Sequence, residues 1–237
     1  MNLILLEPSD FTGEGGTKVL LTGRRLEHVR EVCRGEAGDS LRVGILGGMM
    51  GQGTISRCCD FALELEIELS ESPPPPLPLT LVMALPRPKS LKKAIEAATS
   101  LGIKKIFIIG SRRVEKSYWN SPVLTSDVLR YHALLGLEQA RDTVLPEITI
   151  RRRFKPFLED EFPALVREKL ALVAHPYNAA PCPVSVGKPV LLVIGPEGGF
   201  IPYEVDRLQE KGCIPVTIGQ RILRVETAIP AFTGRLR

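Results

Sequence analysis

The sequence predicts an α/β chain with two parts: a small β-rich segment, then a larger domain in which short strands alternate with helices around a mainly parallel sheet. Three observations carry this expectation. Ser70-Glu71-Ser72-Pro73-Pro74-Pro75-Pro76-Leu77-Pro78 is a proline run, which continues neither a helix nor a central strand and favours a stiff, extended connector. Before it, residues 61 to 69 alternate strictly, with Phe61, Leu63, Leu65, Ile67 and Leu69 on one face and Glu64, Glu66 and Glu68 on the other. That period of two marks a strand with one wet face. After it, short apolar runs rich in Val and Ile alternate with helical patterns, the grammar of an α/β domain.

In the first segment, Lys18–Leu21, Ser40–Ile45 and Gly53–Ser56 are further strand candidates. Gly47, Gly48, Gly51 and Gly53 bracket a turn, and one helix is expected over Arg25–Cys33. A small barrel with one helix is the natural packing solution. In the second, Leu79–Leu85, Lys105–Ile109, Leu170–Ala174, Val190–Ile194 and Ile214–Ile218 suit strands buried on both faces. Ser90–Leu101 places Leu91, Ile95 and Ala98 on one helical face and stops at Gly102. Ser126–Arg141 is a second helix. Pro202–Lys211 is a third, opened by proline and closed by Gly212. The expected boundaries are residues 1–70 for the first domain, 71–78 for the linker and 79–237 for the second domain.

Composition excludes several classes. Of 237 residues, 44% are hydrophobic and 24% charged, values of a globular chain with enough length for a core in each part. The apolar runs are too short to span a bilayer. The N-terminal residues carry no basic stretch or cleavage site of a signal peptide, so a cytoplasmic location is expected, with no membrane partner. Cys33, Cys58, Cys59, Cys182 and Cys213 form no C-x-x-C pair, and with only three histidines no zinc-ligand spacing assembles. No metal is expected. A net charge of +4 permits a polyanionic partner without requiring one.

Ligands of open α/β sheets bind beyond the carboxyl ends of strands, and three loops there have unusual composition. The first is Ala174-His175-Pro176-Tyr177. The second, Ile194-Gly195-Pro196-Glu197-Gly198-Gly199-Phe200, holds three glycines around a proline and a glutamate. The third runs from Ile218 and Gly219 through Arg221, Ile222, Leu223, Arg224 and Val225 to Glu226 and Thr227. Glycines let backbone approach a ligand closely. Neither G-x-x-x-x-G-K-[ST] nor G-x-G-x-x-G is present, and Glu197 would repel a phosphate. An acidic group in such a loop suits a positively charged ligand, a sulfonium or an amine. A tight strand-to-helix turn is the plainer reading of the second loop, as a helix N-terminus is of the third. The residues alone indicate a charged, glycine-containing ligand site with its chemistry open.

The pair GPEGGF (195–200) and IGQRILRVETA (218–228) closely resembles the signature of the 16S rRNA uridine-N3 methyltransferase family, the YggJ-like branch of the SPOUT class. Glu138-Gln139-Ala140-Arg141 with Pro146-Glu147-Ile148, the Leu79–Gly102 stretch, and Leu21-Thr22-Gly23, His28 and Gly38-Asp39 extend the likeness over nearly the whole chain. The resemblance implies a C-terminal SPOUT trefoil-knot α/β domain behind an N-terminal PUA-like β-barrel that binds RNA. It further implies S-adenosylmethionine (SAM) as cofactor, 16S rRNA of the small ribosomal subunit as substrate, and a homodimer. By the same likeness the cofactor would meet His175, Ile194, Gly195, Pro196, Glu197, Gly198, Gly199, Ile218, Gly219, Ile222, Leu223 and Val225. The chain departs from the pattern at Ser100 in Ser100-Leu101-Gly102, at Ile201 where a capping Ser is common, and at Val225, and it has no arginine among its first residues.

Uridine N3 is a poor nucleophile while protonated, so the enzyme must align it and favour loss of its proton. A guanidinium near O2 or O4 would stabilise the charge that develops. Arg224 is the first candidate and Arg221 the second, with Glu226 expected to orient an arginine. A non-catalytic RNA-binding or ribosome-assembly factor, or methylation of another RNA, are the alternatives, and cofactor binding separates the first from an enzyme. Arg151-Arg152-Arg153 and the mixture of Arg112, Arg113 and Lys116 with Tyr118 and Trp119 are candidate RNA contacts, with ordinary packing or a solvated strand end as their plainer readings.

Overall fold

The computed structural model describes residues 2–12 and 15–237; Met1, Gly13 and Glu14 lie outside them. The chain forms two compact units, Met1–Pro75 with Leu134–Leu145, and Pro76–Ala133 with Pro146–Arg237.

The first unit is a six-stranded sheet of β1 (Ile4–Leu6), β2 (Phe11–Thr12), β3 (Lys18–Leu21), β4 (Ser40–Ile45), β5 (Met50–Cys58) and β6 (Leu63–Glu71), in the order β1-β4-β5-β6-β3-β2. The helix α1 (Arg24–His28) runs on into a wider turn over Val29–Cys33. All pairs are antiparallel except β1 with β4. Alternation in β6 buries Leu63, Leu65 and Ile67 against Val19, Leu21, Val43 and Ile55. Phe61, expected as the first inward position of that strand, instead sits in the bend before it and is 84% exposed. The alternation continues past the point where pairing to β5 stops, at Leu63. Gly51 is required by close approach, since a Cβ there would lie 1.9 Å from the Glu68 carbonyl oxygen. Leu137 is buried with Leu3, Leu5 and Met50, and the buried Glu138 accepts two hydrogen bonds from the Arg24 guanidinium at 2.6 and 2.8 Å.

The second unit holds β7 (Leu77–Ala84), α2 (Pro88–Ser100), β8 (Ile103–Ile109), α3 (Ser126–Ala140, whose last turns belong to the first unit), β9 (Glu147–Arg151), the short α4 (Phe154–Pro156) and α5 (Phe162–Val166), β10 (Leu170–Ala174), β11 (Ala180–Pro181), β12 (Val190–Ile194), α6 (Pro202–Glu210), β13 (Ile214–Thr217) and α7 (Val225–Leu236). The seven strands run β11-β13-β10-β12-β7-β8-β9, every pair parallel. Every residue of β12 is buried, as expected of a strand covered on both faces. On α2, Leu91, Ala94, Ile95 and Ala98 are buried, and Gly102 follows at φ +81, the left-handed conformation that ends a helix. Because all strands point the same way, the segments after β7, β8, β9, β10, β12 and β13 share one edge of the sheet.

The α/β class stands, but the trefoil-knot domain expected from the resemblance is corrected to this parallel α/β sheet. A knot is a matter of threading, which apolar periodicity and strand register do not encode. In place of the closed N-terminal barrel expected, the described residues form an open sheet: β1 and β2 end it and do not pair with each other.

Candidate active site

At the carboxyl edge of the second unit a cavity of about 510 Å³ opens between the loops after β10, β12 and β13 and the faces of α6 and α7, a volume suited to a nucleoside-sized ligand. The β12–α6 loop forms its floor. Gly199 at φ +70 closes a tight turn by donating its N–H to the Pro196 carbonyl at 2.7 Å. A Cβ on Gly195 would lie 3.1 Å from the Phe200 nitrogen, and one on Gly198 would lie 3.1 Å from Cδ of Arg113. The glycines therefore let the loop pack closely against Phe200 and Arg113.

Neighbouring segments fix this loop. The backbone N–H of Arg87, after β7, donates to Oε1 of Glu197 at 2.9 Å. The Arg113 guanidinium, after β8, donates to the Gly198 carbonyl. Glu204, only 3% exposed, accepts the N–H of Ile201 on Oε2 at 3.1 Å and the N–H of Arg112 on Oε1 at 2.7 Å. One carboxylate thus caps the start of α6 and ties it to the segment after β8.

His175, after β10, donates its backbone N–H to the Val216 carbonyl at 3.0 Å, and its ring meets the Tyr177 ring edge-on with centroids 6.0 Å apart. Burial pushes the imidazole pKa down, favouring the uncharged ring. The third loop is held at its base by the Thr217 hydroxyl, which donates to the Gly219 carbonyl at 2.8 Å. Gly219 sits at φ +147.

His175, Ile194, Gly195, Pro196, Glu197, Gly198, Gly199, Ile218, Ile222, Leu223, Val225 and Arg221 all line this one cavity; Gly219, Arg224 and Glu226 do not. Arg224 instead precedes the first residue of α7 and is exposed. Glu226 was expected to orient an arginine, yet among the described residues it forms no ion pair, and its Oε2 is buried without a hydrogen-bond partner. Its place in the first turn of α7 turns the carboxylate inward, while Arg221 at the cavity wall and Arg224 outside it are both solvent-exposed. The sequence reading missed Arg113, Asn178, Asp206, Gln209 and Phe232 of the lining. Asp206 and Gln209 follow Pro202 and Val205 at helical spacing on α6, a signal that was present but needed the loop to be known as the floor. Glu204 was missed because nothing in the sequence pairs it with Arg112.

The lining combines apolar side chains with two carboxylates, Glu197 and Asp206. It offers an apolar slot for an uncharged ring and acidic groups for a cation. A cavity of about 510 Å³ with this apolar and acidic lining fits a SAM molecule. Among the described residues no cluster of three or more His, Cys, Asp or Glu is arranged to hold a metal, and no helix is long and apolar enough to cross a membrane.

Comparison with known proteins finds RNA methyltransferases over nearly the whole chain. Ribosomal RNA small subunit methyltransferase E of Treponema pallidum is 29% identical over 96% of this chain and 87% of its own. The methyltransferase E 1 of Borreliella burgdorferi is 27% identical over 96% and 94%. The crystal structure of the Neisseria gonorrhoeae methyltransferase E bound to S-adenosyl methionine, 19% identical, superposes with a TM-score of 0.73 over 98% of this chain and 95% of that one. The family label expected from the sequence, the YggJ-like branch of SPOUT trefoil-knot enzymes, is corrected accordingly: the relatives carry the small subunit methyltransferase E name, and the chain shares the fold of the Neisseria gonorrhoeae structure. A family described as an RNA methyltransferase domain matches residues 73–237, the β7–α7 unit with its cavity, and the chain belongs to that RNA methyltransferase family.

Proposed function

We propose that the protein transfers a methyl group from SAM to N3 of a uridine in 16S ribosomal RNA of the small ribosomal subunit. The observation that carries this is the glycine-floored, acid-lined cavity at the carboxyl edge of an RNA methyltransferase domain, together with relatives named for the small-subunit ribosomal RNA. When bound, SAM supplies an activated methyl on a sulfonium. Glu197 and Asp206 favour that positive charge, and the neutral His175 ring contributes uncharged surface. Gly195, Gly198 and the Ile218–Leu223 backbone leave room for the cofactor. Arg224, outside the cavity, and Arg221, at its wall, are the groups that would meet the negative charge gathering on the uracil oxygens as N3 loses its proton.

A homodimer and a cytoplasmic location complete the proposal. The apolar face of α7 offers little to a partner, since Ala228, Ile229 and Phe232 are buried within the chain and Ala231 is half-buried. Support comes instead from Ile222 and Tyr177, cavity residues 69% and 64% exposed, which leave apolar surface at the site for a second copy to cover. The test is mass spectrometry of 16S rRNA from cells with and without the gene, backed by methyl transfer with the purified protein. Loss of one N3-methyluridine in the deletion, restored by the purified enzyme, is the expected result. An unchanged nucleoside profile would exclude the proposed reaction.

A further inference from the structure

Two sequence motifs that the cavity does not absorb come together at the same carboxyl edge of the sheet. Arg152 follows β9, and its guanidinium lies over the Trp119 ring, 5.7 Å from the centroid. Trp119 belongs to the long segment between β8 and α3 and is half-buried, while Arg152 stays exposed. Their juxtaposition is built in at the backbone. Gly110, the first residue after β8, donates its N–H to the Arg151 carbonyl at 2.8 Å, and a Cβ at Gly110 would lie 2.1 Å from the Arg152 carbonyl oxygen. Only glycine lets the two segments approach so closely.

The same segment reaches the cavity floor at its other end. Arg113 holds the Gly198 carbonyl, the Arg112 N–H is held by Glu204, and Tyr118 hydrogen-bonds both Glu115 and Arg87, whose own N–H is on Glu197. A continuous strip therefore leads from the glycine floor through Arg113 and Tyr118 to Trp119 and Arg152. Glu115 accepts the Tyr118 hydroxyl at 2.9 Å, and after β9 Glu161 is held by Arg151 at 2.5 Å and Glu159 by Lys155 and Arg207. Lys116, Arg152 and Arg153 form no ion pair among the described residues. The strip thus combines cations without a carboxylate partner with an indole on which one of them, Arg152, already stacks. These are the two elements by which proteins hold single-stranded nucleic acid, phosphates on the cations and bases on the rings.

We infer that the Trp119–Arg152 platform, with Lys116 and Arg153, binds the single-stranded RNA that flanks the methylated uridine, stacking one neighbouring base and neutralising its phosphates. The inference rests on the proposed function. It adds a specific RNA track on the methyltransferase unit itself.

Trp119 is the chain's single tryptophan, so its fluorescence reports this surface alone. Titrating the full-length protein with protein-free 16S rRNA from cells lacking the gene should quench that emission. In Trp119→Ala the KM for unmethylated 30S subunits should rise on the order of tenfold, the loss of one stacked base. In Arg152→Ala/Arg153→Ala the log–log salt slope of rRNA binding should shrink by about 1.4, two single-strand phosphate contacts. SAM affinity, measured by calorimetry, and kcat should hold, which also certifies that the variants fold. Trp119→Phe, which keeps a stacking face, should recover most of the KM. Unquenched emission at saturating rRNA, or a KM and salt slope unchanged in the variants, would overturn the platform while leaving the proposed reaction standing. A wild-type protein that binds SAM but methylates no 16S rRNA would overturn both.

Discussion

Arg224 and Arg221 are neighbours in sequence with different surroundings. Arg221 lines the cavity, whereas Arg224 lies outside it, in extended backbone (φ −67, ψ 155) at the entry to α7. A group that meets the substrate base and not the cofactor should stand outside the cofactor cavity, which makes Arg224 the better candidate for transition-state charge. Arg224→Ala should lower turnover by about 10²–10³ with SAM affinity unchanged. Arg224→Lys, which keeps charge but loses the planar fork, should recover only part. Single-turnover methylation of 30S subunits with parallel calorimetry decides this, and a rate loss explained by weakened SAM binding would assign Arg224 to the cofactor instead. A second residue-scale prediction concerns Cys213, which is 4% exposed and packed in the core beneath α6. Burial pushes its thiol from the ordinary 9.0 up to about 12. The raised folded value means that the thiol's contribution is fully present below pH 9. Above that the unfolded chain ionises while the folded one does not. The stability difference between wild type and Cys213→Ala should therefore shrink on the order of 1.4 kcal/mol per pH unit from pH 9 toward 12. Urea unfolding of both proteins across pH 8–11 measures it, and a flat difference would show that the thiol is not held neutral.

At the scale of elements, α6 and the loop before it depend on one side chain. Ile201, in the capping position, has no acceptor to offer, so only one half of a reciprocal cap exists: the Ile201 N–H on Glu204. The other Glu204 oxygen is spent on Arg112, and through that segment on the position of Arg113 against Gly198. Glu204→Ala leaves two backbone donors without their acceptor, a cost of about 1–3 kcal/mol. It should also weaken SAM binding, because the Arg113 wall is released. Glu204→Gln, with one acceptor oxygen left, should fall between. Thermal melts and calorimetry test the pair, and a Gln variant equal to wild type in both would show that the carboxylate is dispensable. None of this was legible beforehand, since a helix N3 glutamate looks local and its bond to Arg112 spans 92 residues. What was legible is what repeats along the chain. The buried runs at 170–174 and 190–194 appear as strands of those same bounds, and Gly102 and Pro202 punctuate α2 and α6 as read. The two-residue β2 and β11, and the 154–166 helical turns interrupted by a π-type stretch, were missed because they are too short or irregular to show a period. The glycine loops declared a ligand site, yet apolar patterning has no term for α6 lending Asp206 and Gln209 to its wall.

At the scale of the whole chain, the proline run at 73–78 is not the only place where the two units exchange sequence. Leu134–Leu145 is assigned by its contacts to the N-terminal unit, although it lies in the middle of the C-terminal sequence. There Leu137 is fully buried with Leu3, Leu5 and Met50, with Leu134 and Leu145 packed against them, and Glu138 holds Arg24. A fragment beginning at Pro76 keeps every residue that lines the SAM cavity, but strips the partners from those three leucines. Exposing the fully buried Leu137 forfeits about 1.5–3 kcal/mol of burial, the half-buried Leu134 and Leu145 forfeit less, and together they make a contiguous apolar patch. The fragment should therefore bind a hydrophobic dye, melt below the intact chain and self-associate in light scattering. Leu134→Glu, Leu137→Lys and Leu145→Glu combined should suppress the association, because water then solvates that stretch. The freed Glu138 needs no rescue, since a solvated carboxylate costs nothing when its arginine is gone. If the substituted fragment is soluble and binds SAM like the intact protein, the cofactor site is built by the second unit alone. If it is soluble but binds no SAM, residues 1–75 contribute to holding the cavity in shape and the two-unit description is too simple. A parent fragment that stays monomeric and binds no dye would mean that 134–145 finds new partners once the first unit is removed.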